Sequence, residues 1–218
     1  MAKNGSPEGE AAEFWEAVYR DRPRVWSGRV NAVLAQEAAA LVPGRALDLG
    51  CGEGGDALWL AQQGWQVTAV DVSTIALERA AAHAEAAGVG DAIGWECHDL
   101  ADSFPDGTFD LISAQYLHST VELPRERVLK RAATAVAPGG AVLIVGHAAF
   151  PPWSSHSDAD VRFPTPEEVL ASLELPDGQW SVVRCETVDR EAEGPDGQRG
   201  TLTDSIVLAR RSGPDVNG

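Results

Sequence analysis

The stretch Asp48-Leu-Gly50-Cys-Gly52-Glu-Gly54-Gly55 packs four glycines into six residues. Before it lies a short apolar run, Arg45–Leu49, that reads as a strand. After it, residues 56–63 read as a helix, with Gly64 placed to end it. A junction of this kind makes a tight strand-to-helix turn whose bare backbone can approach a ligand closely. Gly50, Gly52 and Gly55 satisfy the spacing GxGxxG, and Asp71 stands 21 residues beyond Gly50, at the end of the next apolar run. An acid there can accept hydrogen bonds from ribose hydroxyls. The spacing alone does not separate a dinucleotide from another adenosine cofactor, and a tight turn with no ligand needs the same glycines.

The alternation continues along the chain. Strands are predicted at 65–72, 92–97, 109–113 and 141–146. Helices are predicted from a Ser73 cap to Ala87 and over 124–136, the latter broken by Pro138-Gly139-Gly140. Strand–helix alternation implies a parallel sheet with helices on both faces, an α/β fold. Upstream, a helix capped at Ser6-Pro7 would carry Phe14, Trp15 and Val18 on one face. An Arg-rich turn (Arg20, Arg22, Arg24, Arg29) and a helix over 30–41 follow. Downstream, residues 148–164 lack periodicity and hold Phe150, Pro151, Pro152, Trp153, His156 and Phe163. This loop is read as a lid over a substrate, with local packing or a dimer contact as its alternatives. Thr165-Pro166-Glu167-Glu168 forms a capping box opening a helix to Leu173. Two further strands, 180–190 and 201–210, flank the turn signal Gly194-Pro-Asp-Gly197 and read as an antiparallel hairpin.

Charge narrows the partners. The 218 residues carry a formal net charge of −16, and residues 51–100 hold eight acids against the single base Arg79. Nucleic acids and anionic membranes are bound through clustered Lys and Arg, so neither is expected as a partner. Cys51, Cys97 and Cys185 are widely spaced with no CxxC, which suggests neither a zinc knuckle nor a disulfide framework. The N-terminal residues show no apolar signal-peptide run, and the longest aliphatic run, residues 141–145, is too short to span a bilayer. A cytoplasmic location is expected.

Asp48 shifts the balance between cofactors. A carboxylate two residues before the first glycine opposes a pyrophosphate but suits a cationic ligand. S-adenosylmethionine carries an ammonium and a sulfonium and no phosphate; Glu53, inside the turn, reads the same way. The run Ala46–Gly55 resembles motif I of the class I S-adenosylmethionine-dependent methyltransferases. Val67-Thr-Ala-Val-Asp71-Val-Ser73 resembles their second motif, His98-Asp99-Leu100 the acid after the third strand, and Phe109–Ser113 the fourth strand. Pro138-Gly139-Gly140 resembles the turn before the fifth. The resemblance spans residues 44–147. It implies a doubly wound, Rossmann-like seven-stranded sheet ordered 3-2-1-4-5-7-6 with the last strand antiparallel, a position the tail hairpin suits. Residues 1–43 would then be a helical cap over the cofactor, and 44–218 the methyltransferase domain. The Phe14-Trp15 helix, the Arg-rich turn and Trp26 resemble the branch holding tellurite-resistance and thiopurine or thiol methyltransferases.

By this resemblance Asp48, Gly50, Cys51 and Gly52 surround the methionine part, with Cys51 contributing backbone only. Asp71 and Val72 bind ribose, Asp99 and Leu100 bind adenine, and Ala114, Gln115 and Trp26 complete the site. Trp26 is a lid or a packing anchor. The arginines are a partner for the methionine carboxylate or an anionic substrate, or a solvated face. Ser113-Ala-Gln-Tyr116 lacks the Asn-Pro-Pro-Tyr-like motif of amino-group methylation. Gln115 and His147 stand where metal-dependent enzymes place carboxylates, so no metal is expected. What remains is in-line methyl transfer to O or S of a small molecule. His118, His147 and Tyr116, at the carboxyl ends of strands four and five, are the candidate catalytic residues. The histidines could equally hydrogen-bond backbone or solvent. A nicotinamide-dependent oxidoreductase and a non-catalytic cofactor-binding protein are the alternatives, and the chain is expected to be a monomer or homodimer.

Overall fold

The structure is a computed structural model and describes residues 9–154, 162–194 and 197–213. Seven strands form one sheet: β1 (Arg45–Leu49), β2 (Gln66–Asp71), β3 (Ile93–Cys97), β4 (Phe109–Gln115), β5 (Val136–His147), β6 (Trp180–Glu193) and β7 (Arg199–Arg211). Their order is β3-β2-β1-β4-β5-β7-β6. The first five pair in parallel, and β7 runs antiparallel to both β5 and β6. This is the order and polarity that the resemblance implied.

The period-two alternation of strands sorts the core onto two faces. Leu47, Leu49, Ile112, Val142, Ile144 and Val207 pack beneath α5 (Arg125–Thr134) and α6 (Pro166–Ser172), meeting Leu129 and Leu173. The alternate residues Ala46, Leu111, Leu143, Val145 and Ile206 pack on the other face. There they meet Leu34 of α2 (Ala32–Ala38), Leu60 of α3 (Gly55–Gln62) and Ala84 of α4 (Thr74–Ala86). Ser73 caps α4 by accepting the Ala76 N–H, and the Thr165–Glu168 capping box opens α6.

Three local expectations are corrected. Pro138-Gly139-Gly140 does not precede β5 but lies within it: Phe109 pairs with Val136 and Leu111 with Ala141, so the extra residues bulge out. A Cβ on Gly140 would stand 2.9 Å from the Asp110 carbonyl oxygen, which is why the bulge takes glycine there. The second helix covers only Ala32–Ala38, because the Asn31 N–H and side-chain amide both donate to the Asp56 carboxylate and hold Asn31 extended. The first helix, α1 (Glu10–Asp21), buries Ala12 and Tyr19 and leaves Phe14 exposed. Its inner face follows Ala12, Glu16 and Tyr19, the side that lies on α4, rather than the aromatic pair. The proposed Ser6-Pro7 cap lies outside the described residues, as does His156. Among the described residues no helix is long and apolar enough to cross a membrane.

Candidate active site

A cavity of about 470 Å³ opens at the carboxyl ends of β1, β2 and β4, where the strand order reverses. Ligands of open α/β sheets bind at this switch point. Its floor is the Gly-rich turn. The Gly50 and Cys51 N–H groups both donate to the Val70 carbonyl, folding the turn back over β2. Gly52 sits at φ +53°, and a Cβ there would press within 3.1 Å of Trp26 and Tyr19. The Asp71 carboxylate accepts the Gly52 N–H (2.9 Å) and the Ser73 N–H (3.0 Å), so it fixes the turn from below.

Three buried carboxylates converge here. Asp48 is 2% exposed, and among the described residues its Oδ2 has no hydrogen-bond partner. Burial first, then the charges of Asp56 and Asp71, push its carboxyl well above the ordinary range, against a smaller pull from the Ala57 N–H. Asp71 is raised by burial despite its backbone donors, and Cys51 is held as a thiol by burial and the same acids. An unpartnered buried carboxylate among like charges is costly unless a cation arrives. The ammonium of S-adenosylmethionine would be such a cation, so these residues fit the implied cofactor.

The N-terminal segment is fastened across this floor. The Glu53 carboxylate accepts the Val25 and Trp26 N–H groups, both at 3.0 Å, and pairs with Arg79 at 3.1 Å. Burial raises Glu53, but those two N–H donors and Arg79 outweigh it and hold the carboxyl below its usual value. Arg79 also donates to the Tyr19 and Arg22 carbonyls. Glu16 accepts the Thr74 N–H and hydroxyl, and the Trp15 indole donates to Ser119. Glu53 therefore does not offer its charge to a ligand, as the sequence suggested; it holds the segment. Among the arginines, Arg24 donates to the Trp26 and Ser27 carbonyls, whereas Arg29 lines the cavity.

Of the sequence-derived cofactor residues, Trp26, Asp48, Gly50, Cys51, Gly52, Asp71, Val72, Asp99, Leu100 and Gln115 all line this cavity. Ala114 does not. Alternation along β4 turns it into the core beneath α5 and sends Gln115 to the cavity instead. The Gln115 amide donates to Ser113, and its buried Oε1 has no partner among the described residues. His98 is bonded to Ser103 and Glu96, a structural arrangement.

The far wall holds Tyr116, His118 and His147. Tyr116 sits at φ 50°, a strained setting for a bulky side chain of the sort found at functional sites. Its ring lies 4.5 Å from His147, and the His118 and His147 rings stack at 5.8 Å. The Tyr116 hydroxyl donates to Asp204 (2.9 Å), and Arg190 donates to both Asp204 and Tyr116. Burial, then the Asp204 charge, raises the phenol, which stays protonated. Burial drives His118 down to about 4, with Arg125 and His147 adding to it. Arg190 and Asp204 were missed from sequence. The loop residue Phe163 meets His118 edge-on, and Trp153 packs against Gly194 and Gly200 of the hairpin. None of the described loop residues lines the cavity.

The strand order and the cavity at the carboxyl ends of the strands are those that the sequence resemblance to class I S-adenosylmethionine-dependent methyltransferases implies. Residues 46–140 match a family model described as "Methyltransferase domain". The chain is 32% identical over 145 residues to the 2-heptyl-1-hydroxyquinolin-4(1H)-one methyltransferase of Mycobacteroides abscessus, covering 65% of this chain and 60% of that one. It superposes with TM-score 0.69 and 25% identity on a structure concerned with conversion of a disulfide bond into a thioacetal group during echinomycin biosynthesis, covering 92% and 93% of the two chains. TehB from Haemophilus influenzae shares the fold at TM-score 0.66 and 20% identity, covering 84% and 63%. The chain spans less than two thirds of the length of the curated relatives it matches.

Proposed function

We propose that this chain transfers a methyl group from S-adenosylmethionine to O or S of a small molecule, releasing S-adenosylhomocysteine. The observation that carries the reading is Asp48, a buried carboxylate with an unpartnered oxygen facing two more acids across the cavity floor. Asp48 would hold the methionine ammonium, and Arg29 its carboxylate. The backbone of Gly50, Cys51 and Gly52 would follow the chain between them. Asp71 and Val72 would meet the ribose, and Asp99 and Leu100 the adenine. Residues 1–43 would act as the cap, with Trp26 and Tyr19 closing over the turn. When bound, the cofactor supplies a methyl carbon on a sulfonium leaving group; the residues of the chain align the acceptor and exclude water. Relatives named for tocopherol and for a heptyl-hydroxyquinolinone favour a small acceptor held against Tyr116, His118 and His147, although another is named for ribosomal RNA.

Thermal melting with S-adenosylhomocysteine and, separately, NADH tests this. A ligand at about one hundred times its dissociation constant stabilises by about 2.7 kcal/mol. A shift with S-adenosylhomocysteine alone is expected. A shift with NADH alone overturns the reading of Asp48. Tight cofactor binding without turnover of any nucleophile would favour a non-catalytic binding protein.

A further inference from the structure

We propose that Asp204 is a positioning residue that orients His147 as the base for a hydroxyl acceptor, with Nδ1 protonated toward Asp204 and Nε2 open to the cavity. This rests on the methyl-transfer reading above. The antiparallel register sets His147 of β5 directly opposite Asp204 of β7. Asp204 is 1% exposed. Its Oδ2 takes donors from Tyr116 and Arg190, which lock the carboxylate in place. Its Oδ1 has no hydrogen-bond partner among the described residues and lies 3.9 Å from His147 Nδ1. That gap must close by about 1 Å to form a hydrogen bond, as such contacts do when a substrate completes the site.

The neighbouring candidates are already engaged. His118 Nε2 accepts the His147 N–H (3.4 Å), and its strongly lowered basicity makes it a poor proton acceptor. Tyr116 donates its own proton to Asp204. The groups facing His147 are Asp204 from β7, Arg190 from β6, and Tyr116 and His118 from the loop after β4. Burial lowers the imidazole, Asp204 pulls it back and Arg190 lowers it again, so it is neutral and ready to accept a proton at pH 7. A carboxylate on one ring nitrogen leaves the other as the acceptor.

A base at this place matters for a hydroxyl and not for a thiol already ionised. The acceptor O–H proton passes to Nε2, and the oxygen electron pair forms the bond to the methyl carbon. The carbon–sulfur pair stays on sulfur, and the imidazolium returns its proton to water. The acceptor class is therefore a hydroxyl compound, such as a phenol with a pKa of about 10, that is protonated at working pH.

The test is long-range ¹H–¹⁵N NMR of the S-adenosylhomocysteine-bound protein, with His147 assigned through His147→Gln. The expected result is the Nδ1–H tautomer, with Asp204→Asn mixing the tautomers and lowering the His147 pKa further. Normal S-adenosylhomocysteine binding with an Nε2–H tautomer, or with a tautomer indifferent to Asp204→Asn, overturns the positioning role alone. Failure of the wild type to bind S-adenosylhomocysteine overturns the cofactor reading beneath it. In turnover of paired phenols and thiophenols, His147→Gln should slow the phenols by about 100-fold and at least about tenfold more than the thiophenols. Methylation of thiophenols alone by the wild type overturns the hydroxyl assignment.

Discussion

Asp48 lines the cavity, whereas Asp204 stands behind the wall that holds Tyr116 and Arg190; the two are 2% and 1% exposed. Asp48 faces two more carboxylates, Asp56 and Asp71, whose charges raise its pKa. Asp204 is met by the Arg190 guanidinium and the Tyr116 hydroxyl. The first wall has no counter-charge, so an ionised Asp48 is costly in the free protein and an incoming cation is rewarded. The second is compensated from within, so the Asp204 carboxylate keeps its place whether or not a ligand is present. One wall is built to attract, the other to orient.

Asp48→Asn should break this contrast most strongly. Truncating one partner of a buried charge pair costs about 2–5 kcal/mol, so S-adenosylhomocysteine affinity by calorimetry should fall at least tenfold. The free protein should respond the other way. Because burial and like charges raise the Asp48 pKa, the folded state holds its proton more tightly than the unfolded one. Stability then declines as pH rises from the ordinary carboxylate range through the raised value. Asn removes that penalty, and the melting temperature should rise by roughly 2–4 °C for each kcal/mol recovered. In the wild type, affinity should weaken as pH falls through the same window, and the variant should lose that dependence. Unchanged affinity in Asp48→Asn would mean that no cation sits there.

Asp71→Ala comes next. It deprives the ribose hydroxyls of an acceptor and the Gly52 and Ser73 N–H groups of theirs. A loss of about 1–3 kcal/mol in cofactor affinity is expected, with circular dichroism unchanged. An affinity drop with a collapsed melting transition would make Asp71 a scaffold residue instead.

The first wall was legible in the sequence because it is local. β1, its turn and the end of β2 lie within residues 45–71, and the glycines and acids report the same geometry. The second wall depends on a register that no local pattern encodes. His147 and Asp204 meet only because β7 returns antiparallel to β5, and Arg190 reaches them from β6 after a register shift between Val182 and Arg184. Glu53 shows the limit within the local unit: its charge was read correctly and its partner was not, because the Val25 and Trp26 N–H groups arrive from a segment 27 to 28 residues upstream.

Glu53→Gln sharpens the comparison from the cap side. It weakens two backbone hydrogen bonds and the Arg79 pair, and hydrogen bonds to charged groups contribute about 1.5–3 kcal/mol each. Trypsin cuts after arginine unless proline follows, so cleavage at Arg24 and Arg29 should accelerate several-fold in the variant by mass spectrometry. S-adenosylhomocysteine should slow cleavage of the wild type. Cleavage indifferent to both would detach the cap from the cavity.

The smallest expected effect separates the two stacked histidines. Burial holds His118 at about 4, against an unfolded value near 6.5. A lowered folded pKa means stability that is complete above 6.5 and is lost as pH falls toward 4, because the unfolded chain then binds the proton first. His118→Gln keeps an acceptor for the His147 N–H and removes the titration. Its urea midpoint should therefore fall less steeply than the wild type's between pH 6.5 and 4, while both agree at pH 8 within about 0.5 kcal/mol. His147, also lowered by burial but backed by Asp204, should flatten the curve less when replaced by Gln. If the His147 variant flattened the curve more than the His118 variant, the assignment of His118 as the buried neutral partner and His147 as the proton acceptor would have to be exchanged.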